Sequence, residues 1–396
     1  MKIDSLSLTN FRAFKRLEVD FSDHLNLFIG SNAQGKTTIL EAIHLLSLMT
    51  SPLAGSDREL VNFQTLSDEI PVGRITAVVE KNQKKHRMEL RLILNSVQNG
   101  NSRLRKDLLI DGVNRRIYDS VGFFNSILFL PQMTRIIEDG PDERRRYIDQ
   151  ALSQVVPGYM RALGNYLKGV SKRNALLKQL NEQGGDQDQL IFWDDLLAEN
   201  GAKIIGWRRQ AIAELGELSS SHHLNLTGGK EVLKFVYLPS LPLANVIKDL
   251  NGVQANDNHE NEIKELFHNQ LKVKRREEIA RGVTTIGPHR DDFQFLVNQI
   301  DMGIYGSRGQ IRTVVMALKF AEKDWFENKT GELPVILLDE TLAELDGNRR
   351  NDLLSLLGNG SQAVLTTADL ELFNQEFIQR CQVWQVEQGA IRKAAI

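Results

Sequence analysis

The chain has 396 residues, 41% of them hydrophobic and 25% charged, which is ordinary for globular domains and long enough for two or three of them. Lys and Arg number 49 against 51 Asp and Glu, so the formal net charge is −2 and no global basic field draws the protein to nucleic acid. Any such binding must come from local patches or from a surface made on dimerisation. The single cysteine, Cys381, excludes an internal disulfide framework and any CxxC metal site. No run approaches the ~20 apolar residues of a membrane span. The N-terminus, Met1-Lys2-Ile3-Asp4, lacks the layout of a secretory signal, so a cytoplasmic protein is expected.

Residues 1–50 read strand, strand, loop, helix. Ile3, Leu6, Leu8 and Phe11 make a first apolar pattern, and Leu17, Val19 and Phe21 alternate with charges in a second. Leu25-Asn26-Leu27-Phe28-Ile29 carries no charge and suits a strand buried on both faces. It ends at Gly30, and a helix follows over 36–49. Strand-like segments continue at 75–80, 87–94, 108–110 and 127–130, with a turn at Asp111-Gly112. Residues 141–183 read as helical, opening with Pro141 and then Asp142 and Glu143, which suit a first turn. A polar break over 181–189 precedes a second helix over 190–218, and the two suggest a short antiparallel pair. Residues 219–230 and 251–260 read as loops, 262–281 as a charged helix. Strands return after Gly282, then a long helix over 309–327, buried strands over 333–338 and 362–366, and a last strand over 383–386. The expected organisation is α/β in the N-terminal part (1–140) and the C-terminal part (282–396), with a mostly helical insertion (141–281) between them.

Gly30-Ser31-Asn32-Ala33-Gln34-Gly35-Lys36-Thr37 matches G-x-x-x-x-G-K-[ST] between a strand and a helix, the context a phosphate loop needs. Gly30 and Gly35 let the backbone turn its N–H groups toward phosphates, and the helix N-terminus adds partial positive charge. Lys36 is expected to reach the β- and γ-phosphates, with Thr37 on Mg²⁺ and Thr38 beside it in the nucleotide contact. Asp339 ends an apolar strand at the edge where α/β sheets bind ligands, and can hold Mg²⁺. Glu340, next along, can orient or deprotonate an attacking water. Gln132, after Pro131, is a candidate sensor of the metal or water. Arg12, in Asn10-Phe11-Arg12, is a candidate nucleotide contact.

Gly306-Ser307-Arg308-Gly309-Gln310 precedes a helix with apolar period Ile311, Val314, Val315, Leu318. Ser307 reads as an N-cap. Read as a ligand site, Ser307, the Gly309 N–H and the helix dipole would grip a γ-phosphate held by another subunit. Asp346, in Ala343-Glu344-Leu345-Asp346, reads either as part of that composite site or as the N-cap of a helix over 347–357.

The ordered set of phosphate loop, Ser307-Arg308-Gly309-Gln310, Leu338-Asp339-Glu340 and Ala343-Glu344-Leu345-Asp346 resembles an ABC-type ATPase head. Within that class the chain is similar to the RecF family, over nearly its whole length. Pro141 with Arg144-Arg145, Arg173-Asn174-Ala175-Leu176-Leu177, Trp193-Asp194 and Gly287-Pro288-His289-Arg290-Asp291-Asp292 carry the likeness beyond the ATPase motifs. The resemblance implies a mixed sheet with flanking helices, ATP and Mg²⁺ as cofactors, slow DNA-stimulated ATP hydrolysis and an ATP-dependent homodimer. It also implies a hold on duplex, gapped or junction DNA, and RecR and RecO as partners. The context it implies is DNA replication, homologous recombination and the SOS response to DNA damage. Two departures stand out. Many RecF proteins carry Asp where this chain has Glu340, which suggests faster hydrolysis here. Thr366-Thr367 stands where many ABC ATPases place a histidine, which argues against a transporter ATPase.

Basic clusters occur at Arg103-Leu104-Arg105-Lys106, Arg115-Arg116, Arg144-Arg145-Arg146 and 272–276. Each reads more readily as a solvated face than as a DNA contact. There is no base-reading motif. The competing readings are an SMC-like DNA-end-processing or chromosome-organising head and a phage-defence ATPase. The first needs long heptad coiled coils and the second an added nuclease domain, and neither is seen in the sequence.

Overall fold

The computed structural model describes residues 1–65, 70–96, 102–245, 258–357, 360–387 and 389–394. The chain divides into two compact units, one of Met1–Met133 with Glu322–Ile396 and the other of Thr134–Ala321. Residues 282–321, grouped above with the C-terminal ATPase part, fall in the second unit.

In the first unit β1 (Lys2–Phe11) and β2 (Phe14–Asp20) form an antiparallel pair. Ile3 and Leu6 both face the core although three residues apart, because the register against a neighbouring strand shifts between Ile3 and Ser5. A bulge adds one residue to the strand and restores the side-chain alternation. β3 (Leu25–Ile29) leads through the glycine-rich loop into α1 (Lys36–Leu48). β4 (Val72–Lys81), β5 (Lys84–Ser96), β6 (Ser102–Ile110) and β7 (Val113–Arg115) complete an antiparallel sheet of order β2-β1-β4-β5-β6-β7. A single turn, α2 (Ile117–Ser120), and β8 (Ser126–Phe129) follow.

The second unit holds α3 (Arg135–Glu138), α4 (Pro141–Val155), α5 (Tyr159–Gln183), α6 (Leu190–Leu226), β9 (Leu233–Leu238), α7 (Asn258–Arg281), β10 (Asp292–Val297), β11 (Ile300–Asp301) and α8 (Met302–Tyr305). The unit division falls within α9 (Arg308–Thr330). The chain then returns to the first unit with β12 (Val335–Asp339), α10 (Gly347–Leu357), β13 (Ala363–Thr367), α11 (Gln375–Gln379), β14 (Cys381–Glu387) and β15 (Ala390–Lys393).

A second sheet of the first unit runs β15-β14-β3-β13-β12-β8, with parallel pairing from β14 to β8. Strands β3, β8, β12 and β13 are nearly continuous apolar runs because both faces are covered. Parallel register puts the ends of β3, β13, β12 and β8 along one edge: Thr367 opposite Ile29, Thr366 opposite Asp339, Leu338 opposite Phe129. One apolar core takes in side chains of both sheets and of α1, which is buried nearly all round.

Several elements differ from the sequence expectation. The segment 141–183 is two helices, broken at Pro157-Gly158, where Gly158 takes φ 86°. The loop expected over 219–230 is mostly helix. Ser219 is fully buried with its hydroxyl on Gly216 O, α6 packs against β9, and the helix continues until Gly228 and Gly229 take positive φ. Tertiary packing overrides the weak helix propensity of the serines. β9 is not among the expected strands, although Leu233, Phe235 and Tyr237 alternate inward. Residues 251–257 lie outside the described ones, and α7 already begins at Asn258. The α5 and α6 pair is 25 and 37 residues long and packs with α7 as a third member.

The motifs of the second unit outside the ATPase set converge in buried charge networks. Arg173 is fully buried, its Nε on Asp194 Oδ1 at 2.7 Å and its Nη1 on Glu278 Oε2 at 2.6 Å and Thr284 Oγ1 at 2.9 Å. Asn174 Oδ1 accepts from the Thr284 N–H, and Arg275 donates to Asp194 Oδ2. Arg208 forks onto both oxygens of Asp149 at 2.9 Å and donates to Pro288 O at 2.6 Å. Arg144 forks onto Asp292, Arg145 donates to Asp291 O, and Tyr237 donates to the buried Asp291 carboxylate. Breaking such a pair strands an uncompensated charge, which costs about 3–5 kcal/mol.

Candidate nucleotide site

The glycine-rich loop leaves β3 at the sheet edge. Gly30 N–H donates to Thr367 O at 3.3 Å, and a Cβ on Gly30 would lie 2.3 Å from Val386 O, so only glycine fits. Gly35 is the N-cap of α1 at φ 102°, with the Phe14 ring where a Cβ would stand. Being glycine, it offers no side-chain oxygen to the first-turn N–H groups, and that turn carries no acid. The turn is therefore an unblocked anion-binding end. Ser31, Asn32 and Ala33 are exposed along the loop, and Ala33 takes φ 64°.

Lys36 is 3% exposed, and its Nζ donates to Gly30 O at 2.6 Å and Ser31 O at 2.9 Å and pairs with Glu340 Oε1 at 2.9 Å. The Thr37 hydroxyl lies 3.0 and 2.9 Å from the two oxygens of Asp339. Asp339 ends β12 buried, and burial raises its carboxyl above the ordinary range. Hydrogen bonds from Thr366 and Thr37 oppose that rise, the Glu340 charge adds to it, and Lys36 opposes it. Glu340 takes the left-handed conformation, φ 48° and ψ 13°. Its N–H donates to Thr366 O and Oγ1, each at 3.2 Å.

The fold thus gathers Gly30, Gly35, Lys36, Thr37, Asp339 and Glu340 from two strand ends. Thr38 follows Thr37 in the first turn of α1. Gln132 is exposed, three residues after β8 on the same sheet edge. Arg12, at φ 49°, forks onto Glu41 of α1 at 2.9 and 2.6 Å, which ties the β1–β2 turn to the helix behind the loop. Asp346 caps α10, accepting from Arg349 N–H at 3.1 Å. Thr366 joins the site as a hydrogen-bond partner of Asp339 at 2.7 Å. In the sequence it stands out only as a residue in place of a histidine. The donor set of one hydroxyl and one carboxylate, all hard oxygens, fits Mg²⁺.

Ser307, Arg308, Gly309 and Gln310 lie in the second unit at the start of α9. Gln310 N–H donates to Ser307 Oγ at 3.3 Å and Ser307 N–H to Gln310 Oε1 at 3.2 Å, a reciprocal capping box. Gln310 Nε2 donates on to Glu231 Oε1 at 3.3 Å. Ser307 and Arg308 are exposed. The capping expectation for Ser307 holds at this helix start.

A parallel sheet ending in a glycine loop, with a carboxylate pair on the next strand but one and a capped serine helix start, defines a nucleotide-binding head of the ABC and SMC kind. The chain matches the family model described as RecF/RecN/SMC N terminal domain over residues 2–392. It is 35% identical over 396 residues to the DNA replication and repair protein RecF of Exiguobacterium sp., covering 100% of both chains. It is 36% identical over 400 residues to the same protein of Chloroflexus aurantiacus, covering 99% of each. A solved structure of the recombination mediator protein RecF with ATPrS, of the RecFOR pathway, superposes with a TM-score of 0.85 at 31% identity, over 100% of this chain and 98% of that one. An SMC head bound to the C-winged helix domain of ScpA reaches a TM-score of 0.52 at 14% identity, a likeness of fold alone. The chain belongs to the RecF family.

Proposed function

We propose that this chain is an ATP-dependent DNA clamp of recombinational repair, with weak ATPase activity that drives release. The observation that carries the reading is the cluster of Lys36, Thr37, Asp339 and Glu340, with Lys36 and Thr37 at hydrogen-bond distance from the two carboxylates. It stands in a chain that matches RecF proteins over their full length.

In this reading the loop from Gly30 to Thr38 holds the phosphates of ATP, with Lys36 on the β- and γ-phosphates. Mg²⁺, held by Thr37 and Asp339 with Gln132 as a further contact, would neutralise charge on the phosphate oxygens. Glu340 takes the proton of the attacking water. Ser307, Arg308, Gly309, Gln310 and Asp346 of a second copy complete the site. Arg12 acts from behind the loop, through its fork on Glu41. Residues 1–140 and 282–396 carry the ATPase motifs, and 141–281 form the lobe between them. The two joined copies grip duplex DNA near gaps or junctions, in the cytoplasm, and act with RecO and RecR in loading recombinase.

The basic clusters narrow the DNA contact. Arg105 pairs with Asp107, Lys106 with Asp57, Arg144 with Asp292, Arg146 with Glu143, Lys274 with Glu277 and Arg275 with Asp194. The side chain of Arg103 lies outside the described ones. Arg115, Arg116, Lys272 and Arg276 are exposed, and they are the stronger candidates for phosphate contacts. Light scattering with and without ATP tests the reading. A doubling of mass at saturating ATP is expected, and an unchanged mass would overturn it.

A further inference from the structure

Lys36 Nζ meets three acceptors, Gly30 O, Ser31 O and Glu340 Oε1, within 2.9 Å. The two carbonyls accept hydrogen bonds from this buried ammonium, and the Glu340 carboxylate forms an ion pair with it. Glu340 is not free to drift away. Its backbone is pinned to Thr366 in a left-handed conformation that a non-glycine residue adopts only when its surroundings impose it. The carboxylate therefore occupies the place on Lys36 that a phosphate oxygen needs. Negative charge stands there before any nucleotide arrives.

We infer that Glu340 sets nucleotide affinity by competing with phosphate for Lys36, in addition to its part in activating water. The inference rests on the reading of this loop as a nucleotide site. Binding exchanges a carboxylate for a phosphate on one ammonium, so the attraction of Lys36 for phosphate is offset by the ion pair it gives up. The same exchange frees the carboxylate. The base is thus released from Lys36 only when phosphate has taken its place, and an empty site holds it back.

Two substitutions separate this role from water activation. Glu340→Gln keeps the length of the side chain and removes its charge. Glu340→Asp keeps the charge and withdraws it by one methylene, beyond hydrogen-bond reach of Lys36. A residue that acts only on the attacking water has no effect on ADP, which has no γ-phosphate to be attacked. A competitor for Lys36 weakens ADP in the native protein, and both variants relieve it. The Glu340 side chain is one-third exposed, so neither variant opens a core.

The test is calorimetric titration of the full chain with Mg²⁺-ADP, comparing the native protein with both variants. Both variants are expected to bind ADP about three- to tenfold more tightly, the range for a partly exposed to partly buried ion pair. Unchanged or weaker binding in either variant overturns the inference. Absence of ADP binding to the native protein would instead overturn the nucleotide reading on which it rests.

Discussion

Thr366 Oγ1 donates to Asp339 Oδ1 at 2.7 Å, and the same oxygen accepts the Glu340 N–H at 3.2 Å. One hydroxyl at the end of β13 therefore holds both the Asp339 carboxylate and the backbone of Glu340. Its hydrogen bond also holds the Asp339 carboxyl down against the rise that burial causes. Thr366→Val keeps the shape and removes the hydroxyl. ATP turnover is expected to fall by about tenfold, as for other groups that orient metal-binding carboxylates. The acidic limb of the pH–rate profile should move to higher pH, because the Asp339 carboxyl loses a bond that favoured its charged form. An unmoved acidic limb would assign Thr366 a packing role only.

Asp339 is held against its own solvation. Its folded-state carboxyl is raised above the ordinary value, so the folded protein binds a proton more readily than the unfolded chain. The charge therefore destabilises the free protein at pH 7, and the penalty vanishes as pH falls below the ordinary carboxylate value. Asp339→Asn is expected to stabilise the nucleotide-free protein by about 1 kcal/mol at pH 7, with turnover abolished. Denaturant melts at pH 7 and at low pH check it, since the gain should disappear in acid.

The Arg173 network joins α5, α6 and α7. Asp194→Ala leaves the Arg173 guanidinium, fully buried, with one carboxylate fewer and takes from Arg275 the nearer of its two carboxylate partners. A loss of about 3–5 kcal/mol is expected. Arg116→Ala, at an exposed position, is expected to change stability by less than about 0.5 kcal/mol. Urea unfolding of both variants measures the contrast.

His289 is pressed down to a pKa of about 4, chiefly by burial. Its Nε2 faces Thr284 O at 3.2 Å, so that nitrogen carries the proton, and Nδ1 accepts from the Tyr166 hydroxyl at 2.7 Å. The folded protein keeps this imidazole neutral where the unfolded chain has protonated it. Stability is therefore full above the ordinary histidine value of 6.5 and is lost as pH falls toward about 4. Allowing for the partial exposure of the ring, the loss is about 2 kcal/mol. His289→Gln should flatten the stability profile in that window, measured by thermal melts across the pH range.

The glycine loop and its strand were legible because Leu25 to Ile29 form an uncharged run ending at Gly30, and the phosphate-loop spacing is strict. Lys36, Thr37, Asp339 and Glu340 could be named for the same reason. Their mutual contacts could not, since they depend on the parallel order β3-β13-β12, which brings residues some 300 positions apart to one edge. Thr366 was hidden by the same long-range pairing with Asp339. The left-handed backbone of Glu340 has no sequence signal, as a glutamate ordinarily avoids it. Helix α6 outran its expected end because Ser219 and His223 are buried, a tertiary effect absent from local propensity. Strand β9 did have a signal in the alternation of Leu233, Phe235 and Tyr237, and could have been found.

In the proposed function one site is shared by two copies, with Lys36 on one and Ser307 on the other. Mixing two inactive variants, Lys36→Ala and Ser307→Arg, tests it most directly. A mixed dimer would contain one site with both residues intact and one with neither. Each variant alone is expected to have negligible ATP turnover, and the mixture to recover it in part. No recovery in the mixture, or full turnover by Ser307→Arg alone, would contradict it.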